Sequence, residues 1–457
     1  MNPSTSRPTL RIGSGSGWWG DRVEPAALSA REGRLDYLCF ETMAEATVCA
    51  AQVRRRRDPA FAGYDTYLDE RMRAVLPHCI ANGTRIISNQ GWINPLGAAR
   101  RIAQLCQELG LPGVKIAAIT TTDLTGTICD QDLHLLESGA HVRTLRDTLV
   151  SAEPYEGALP IVKALEQGAQ VVVTGRVADP SLFLAPMIHT FGWRYDHPQD
   201  VPLLARGSAI GHLLECGAQV TGGYFGDPGY KDVPEPWNLA FPIAEVEPDG
   251  SAVIGKVAGT GGRIDLQTVK EQMFYEVHDP ARYITPDVVV DFTTAQLEQQ
   301  GADRVRISGV TGAPRTDTLK VSLGCTEGFI GEDMFFYAGP GCLAKAELAR
   351  TILERRFAMA GLQADALRID FLGVNAIHGL ASPAPSAEPN EIAVRVAART
   401  RTREEAAKVG REIDSMAVCG LASTGKRVPH QDRTREIIGV WSALVPRTQV
   451  RSQIHFL

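Results

Sequence analysis

From residue 9 to about residue 225, short β-branched runs alternate with stretches whose apolar positions recur every three to four residues. Strands are expected over 9–13, 35–40, 84–89, 114–120 and 169–174, and helices over 43–57, 96–109 and 155–167. Such alternation predicts βαβ units and a parallel sheet covered on both faces. Beyond Trp237 the texture changes. Two alternating runs flank Asp249-Gly250, which is a hairpin signal. A helix is expected over 266–277, strands over 286–292, 304–310, 317–323, 367–374 and 391–397, and helices over 342–359 and from Arg403. The expected fold class is α/β: an N-terminal parallel βαβ sheet domain with a glycine-rich loop over residues 1–235, followed by an α+β domain with antiparallel strands over 236–457. Segments 381–390 and 420–432 read as Pro-, Gly- or Ser-rich surface loops, the second a mobile flap.

In a parallel sheet, ligands bind beyond the carboxyl ends of the strands, so the residues after each run are the candidates. They are polar at five consecutive strand ends. The first end carries Gly13, Gly15, Gly17 and Gly20 with Asp21 and Arg22; the second, Glu41 and Glu45; the third, Asn89 and Asn94; the fourth, Asp123; the fifth, Arg176 and Asp179. The glycines suggest a sharp turn whose N–H groups are open to an anionic or polar ligand. Gly15-x-Gly17-x-x-Gly20 also satisfies the dinucleotide fingerprint, although Trp18 and Trp19 occupy the expected helix start and Pro25 places that start near Glu24. Each polar residue has a plainer role open to it. Asn94 before Pro95 reads as a helix cap, Asp123 as a loop cap, Asp179 as a helix N-cap, and Arg22 as a surface partner of Asp21 or Glu24.

Composition narrows the chemistry. A net charge of −6 without charge blocks argues against nucleic acid, and the one basic run, Arg54 to Arg57, reads as a solvated helix end. Nine cysteines scattered without a C-x-x-C pair read as reduced thiols of a cytoplasmic protein. No apolar run approaches the ~18 residues of a membrane span. The histidines form no metal-ligand spacing, so no metal-binding residues are assigned, while a hard cation on Glu41, Asp123 and Asp179 leaves no spacing signature and stays open. General acid–base chemistry fits the residue types best: Glu41, Glu215, Asp179 and His378 as catalytic candidates, Arg22 and Arg176 as clamps for an anion, and Asn89 as a donor to an enolate oxygen. Cys216 beside Glu215 reads as a core thiol, with a reactive one as the alternative.

Several blocks together resemble one family. They lie at 13–22, 35–44, 87–95, 172–193 (with Gly175-Arg176-Val177-Ala178-Asp179-Pro180-Ser181), 211–223 (with Gly211-His212 and Glu215-Cys216-Gly217), 259–262, 270–292 (with Tyr275-Glu276-Val277-His278-Asp279-Pro280), 318–322, 372–379 and 439–447. Spanning nearly the whole chain, they identify it as similar to the acyclic terpene utilisation (AtuA) family. The resemblance implies a setting in branched-chain or isoprenoid acyl-CoA catabolism and names no reaction. Three departures, at Trp92, at 120–123 and at 16–19, imply a reshaped pocket. The small ferredoxin-like domain sometimes fused at the family's C-terminus is absent from the sequence, so a small partner subunit of that type is expected to replace it. The expectation is thus a homo-oligomeric cytoplasmic enzyme of lyase, hydratase or isomerase type, acting on an anionic substrate in an inter-domain cleft. No resident cofactor is assigned; a CoA thioester is a candidate substrate, and a divalent cation or NAD(P) stays open. The alternatives are a non-catalytic acyl-CoA-binding or scaffold subunit and an NAD(P)-dependent oxidoreductase.

Overall fold

The structure, a computed structural model, describes residues 9–383, 385, 387–426 and 433–457; positions 427–432 of the expected flap lie outside them. The chain divides into two compact units, one of residues 1–324 with 440–457 and one of residues 325–439.

The first unit is built on a ten-stranded sheet. Its centre is parallel and contains β1 (Leu10–Gly17), β2 (Tyr37–Glu41), β3 (Arg85–Ser88), β6 (Val171–Thr174) and β4 (Ile116–Thr121), in that spatial order; β5 (Leu149–Pro154) lies outside it. These strands are almost wholly buried because helices cover both faces. On one face, α1 (Glu24–Glu32), α3 (Leu68–Asn82) and α4 (Pro95–Glu108) pack Ala26, Met72, Leu76 and Ile102 against Leu38, Phe40, Ile86 and Val173. On the other, α5 (Leu159–Glu166), α6 (Asp179–Phe191) and α7 (Val201–Glu215) pack Leu165, Phe183, Met187 and Leu213 against the alternate positions Ile12, Cys39, Ile87 and Val172. This period-two division of each strand is what a two-faced core demands. Helix α2 (Glu45–Arg57) follows β2 directly.

The hairpin around Asp249-Gly250 forms as expected, from β7 (Pro242–Val246) and β8 (Ala252–Lys256), but it does not start a separate sheet. Strand β7 runs antiparallel to β1, with Leu10 opposite Val246 and Gly13 opposite Ile243. It thereby covers an edge of β1 that would otherwise be unpaired. Helix α8 (Leu266–Phe274) follows. Strands β9 (Tyr283–Ile284), β10 (Val288–Asp291) and β13 (Thr311–Pro314) make a small sheet, while β11 (Gln296–Gly301) and β12 (Arg304–Ser308) extend the large one beyond β8. The compact units therefore part at 324/325 and 439/440 and not at 235/236.

The long strand β14 (Thr318–Ala338) begins in the first unit and passes into the second at Cys325, where α9 (Cys342–Met359), β15 (Ala366–Leu372), β16 (Glu391–Thr400), α10 (Arg403–Cys419) and β17 (Gly425–Lys426) follow in sequence. The core of the second unit joins Phe335 and Tyr337 to Leu353 and Phe357 of α9, Val394 of β16 and Ile413 of α10. The chain returns to the first unit in β18 (Thr434–Pro446), and β19 (Ser452–Phe456) closes the ten-stranded sheet antiparallel to β4.

The glycine run is strand and not a loop. Gly13, Gly15 and Gly17 all lie within β1, with a bulge between Ser14 and Ser16, and the following helix starts only at Glu24. These glycines are required for packing. A Cβ on Gly15 would stand 2.5 Å from the Phe40 ring, and one on Gly17 would stand 2.1 Å from the backbone carbon of Cys216. Backbone cannot rotate away as a side chain can. Gly17→Ala is expected to lower unfolding stability by about 1–3 kcal/mol, read as a lower urea midpoint with unchanged slope.

Candidate active site

The polar rim begins at the end of β2. Glu41 is buried, and its Oε1 accepts two hydrogen bonds, from the Met43 N–H at 2.6 Å and from Asn89 Nδ2 at 3.0 Å. Asn89 is itself buried and uses its oxygen to accept from the Thr42 N–H at 2.8 Å. One N–H of its amide therefore orients Glu41. Burial, with the negative Asp179 as the next contribution, pushes the Glu41 carboxyl well above the usual carboxylate range. Both hydrogen bonds fall on Oε1, so the proton it holds belongs on Oε2.

Arg176, after β6, is the cationic hub. One η-nitrogen donates to the Met43 carbonyl, to the Val177 carbonyl at 3.2 Å and to Asp179 Oδ1 at 2.8 Å. The other donates to the Tyr155 hydroxyl and lies 3.5 Å from Glu45, and the guanidinium stacks 4.1 Å above the Tyr155 ring. With both ends of its fork engaged inside the protein, Arg176 is a support for carboxylates and is not free to clamp a substrate anion. Glu45 also accepts from Lys320 Nζ at 3.1 Å. Burial opposes its charge, but Arg176 and Lys320 outweigh burial and hold the carboxyl down at about 2. Asp179 behaves oppositely: burial raises its proton affinity and Arg176 only partly offsets this.

Glu215 ends α7, directly above the close approach of Gly17. It is buried, accepts from the Cys216 thiol at 3.2 Å, and is pushed well above the carboxylate range by burial and then by Asp179. Burial and Glu215 also push the Cys216 thiol upward, so it is not a thiolate nucleophile.

Glu45, Asp179, Glu215 and Glu276 line two adjoining hollows. The first, about 480 Å³, is walled by Tyr155, Pro180, Ile284, Pro286, Leu319 and Leu444, with Lys320 and Arg282 as its cations. The second, about 600 Å³, adds Glu41 and Asp21 and opens beside Trp18, Tyr224 and Tyr275. Every lining residue belongs to the first compact unit.

The other sequence candidates are placed elsewhere or serve the scaffold. Asp21 accepts from the Gly17 N–H at 2.7 Å, so that amide is not open to a ligand. Arg22 is exposed and donates to the Trp237 carbonyl at 2.8 Å. Gly20 is exposed and faces only the Trp18 ring. Because Gly15 and Gly17 are strand residues, Gly15-x-Gly17-x-x-Gly20 lacks the strand–turn–helix setting that holds a pyrophosphate. Asn94 caps α4 by accepting from the Gly97 N–H at 3.0 Å. His378 is exposed in the second unit, at the start of a short 3₁₀ turn, and does not line either hollow.

Asp123 is exposed and caps its own turn through the Thr125 N–H at 2.8 Å. Its charge matters to a neighbour: burial, then Asp123, pushes Glu153 of β5 up to about 7. A folded-state value raised from 4.5 favours the native state at low pH and disfavours it as pH rises through about 7. Glu153→Gln is therefore expected to raise the melting temperature at pH 8 and to lose that advantage at pH 5, as a thermal scan at both values would show.

Sequence reasoning missed several groups. Arg71, in the first turn of α3, is wholly buried, pairs with Asp65 at 2.5 Å and donates to the Trp19 carbonyl at 2.6 Å, which fixes the loop after β1. Tyr155, Lys320, Tyr283 and Glu276 reach the hollows from segments far apart in sequence. Among the described residues, no group of three or more His, Cys, Asp or Glu is arranged to hold a metal ion, and no helix is long and apolar enough to cross a membrane. The carboxyl cluster can give and take protons beside an apolar wall.

A family model described as acyclic terpene utilisation family protein AtuA matches residues 10–456. No curated protein matches the chain, and no solved structure does.

Proposed function

Since the chain belongs to the acyclic terpene utilisation (AtuA) family, we propose that the paired hollows are the active site of an enzyme of branched-chain or isoprenoid acyl catabolism. It acts on an acyl-CoA thioester or a related carboxylate by acid–base chemistry of lyase, hydratase or isomerase type. The observation that supports this reading is the convergence of buried Glu41, half-buried Asp179 and buried Glu215 on one cavity, each holding its proton more tightly than a carboxyl in water. A carboxylic acid that stays protonated near neutral pH is a general acid, and its conjugate base abstracts a proton from carbon next to a carbonyl.

The two hollows divide the work. Ile284, Pro286, Leu319 and Leu444 offer a hydrocarbon wall, and Arg282, which has no carboxylate partner among the described residues, joins Lys320 as the anchor for the substrate's anionic end. The reacting carbon then lies over the carboxyls, where they share space with the second hollow. Incubation of the purified chain with branched acyl-CoA thioesters and their free acids, with products followed by mass spectrometry, tests this. Gain or loss of water, isomerisation or carbon–carbon cleavage without added nicotinamide supports it. Binding without turnover by the isolated chain would favour the scaffold reading.

A further inference from the structure

His212 sits in the last turn of α7, three residues before Glu215, and is wholly buried. Neither of its ring nitrogens makes a hydrogen bond of good geometry. An imidazole left unsatisfied inside a protein calls for a reason. Its Nδ1 lies 3.3 Å from Glu215 Oε1. On its other sides the ring is enclosed by Tyr283 of β9, 5.2 Å away between ring centres, and by Phe292 after β10, at 5.6 Å. The carbonyls of Gln272 and Met273, at the end of α8, also face it.

The surroundings of Glu215 determine where its proton sits. Cys216 donates its S–H to Oε2, so Oε2 is an acceptor. The proton of the acid form then belongs on Oε1, pointing at Nδ1. An Oε1 proton aimed at Nδ1 requires a lone pair there, and the Gln272 and Met273 carbonyls are then the acceptors that face the ring for an Nε2 N–H. The other charged groups that bear on the pair are Asp179 of α6, Glu276 after α8 and Arg176.

We propose that Glu215 and His212 act as a proton-relay pair: Glu215 takes a substrate proton on Oε2 while its Oε1 proton passes to Nδ1 of His212. This deepens, and rests on, the acid–base reading of the cavity. The step balances. One proton leaves the substrate and one arrives at the imidazole, which becomes imidazolium while Glu215 stays a neutral acid, and the reverse transfer returns the proton to the product. His212 is thus a positioning and relay residue behind the group that meets the substrate. Its neutral resting state agrees with burial, which lowers its affinity for a second proton to about 4.

The test uses the full-length chain with ¹⁵N-labelled histidine, the His212 signals being assigned by their loss in His212→Gln. In the wild type at pH 7, Nδ1 is expected to show the shift of a hydrogen-bond acceptor and Nε2 that of a protonated nitrogen. Glu215→Gln, which replaces the acid with an amide, is expected to move the Nδ1 resonance strongly. An Nδ1 that carries the proton in the wild type, or that is unmoved in Glu215→Gln, would overturn the proposal. Turnover separates this failure from that of the function. An active enzyme whose kcat–pH profile is the same in His212→Gln refutes the relay alone. A correct NMR signature in a chain that never turns over any thioester or acid refutes the acid–base reading, and the relay falls with it.

Discussion

Arg176→Met is expected to destabilise the first compact unit by about 3–5 kcal/mol, the loss seen when one partner of a buried ion pair is removed and the other is left charged. The guanidinium holds Glu45, Asp179, the Tyr155 hydroxyl and the Met43 carbonyl at once. Methionine fills some of the volume and supplies no donor. The loss should depend on pH in a definite sense. Glu45 in the native protein is depressed from 4.5 to about 2, so its contribution is present above about 4.5 and fades as pH falls toward 2. The gap between wild type and variant, read from urea midpoints, should therefore be largest near neutral pH and narrow through that window. A gap that is constant from pH 7 to pH 3 would mean that Arg176 acts by packing alone.

Glu41→Gln should leave the fold almost untouched while lowering turnover by about 10²–10⁴-fold, the range for removing a positioned general acid or base. The amide has the shape of the protonated carboxyl, and its oxygen still accepts from Met43 and Asn89. Since burial raises the proton affinity of the wild-type carboxyl and so disfavours its charged form, the variant should melt at the same temperature or slightly higher. A variant that melts normally and turns over normally would remove Glu41 from the chemistry and leave Glu215 and Asp179 to carry it.

Much of this arrangement was legible in the sequence because it obeys the strand-end rule. Glu41, Asn89, Arg176 and Asp179 all follow strands of a parallel sheet, and the structure places all four at its carboxyl edge. The glycine run misled for a local reason. Gly13, Gly15 and Gly17 look like a phosphate loop in one dimension, but they are spaced by two in an extended strand, where missing side chains make room for Leu35, Phe40 and Cys216. No local pattern distinguishes those causes. Arg71 reads as the polar position of an amphipathic helix, and only the loop folded over it reveals that it is buried. Lys320 and Tyr283 come to Asp179 and Glu215 across 141 and 68 residues of chain, respectively, a closeness set by tertiary pairing and invisible to periodicity.

The most direct test is isotopic. The wild type and Glu41→Gln would be incubated with saturated and α,β-unsaturated branched acyl-CoA thioesters in D₂O, and deuterium in the recovered acyl group located by mass spectrometry. Proton transfer in the carboxyl cavity should place deuterium next to the thioester carbonyl with the wild type and little or none with Glu41→Gln. A thioester that raises the melting temperature of the wild type yet returns without deuterium or chemical change would contradict the account, because the cavity would then bind its ligand without moving a proton.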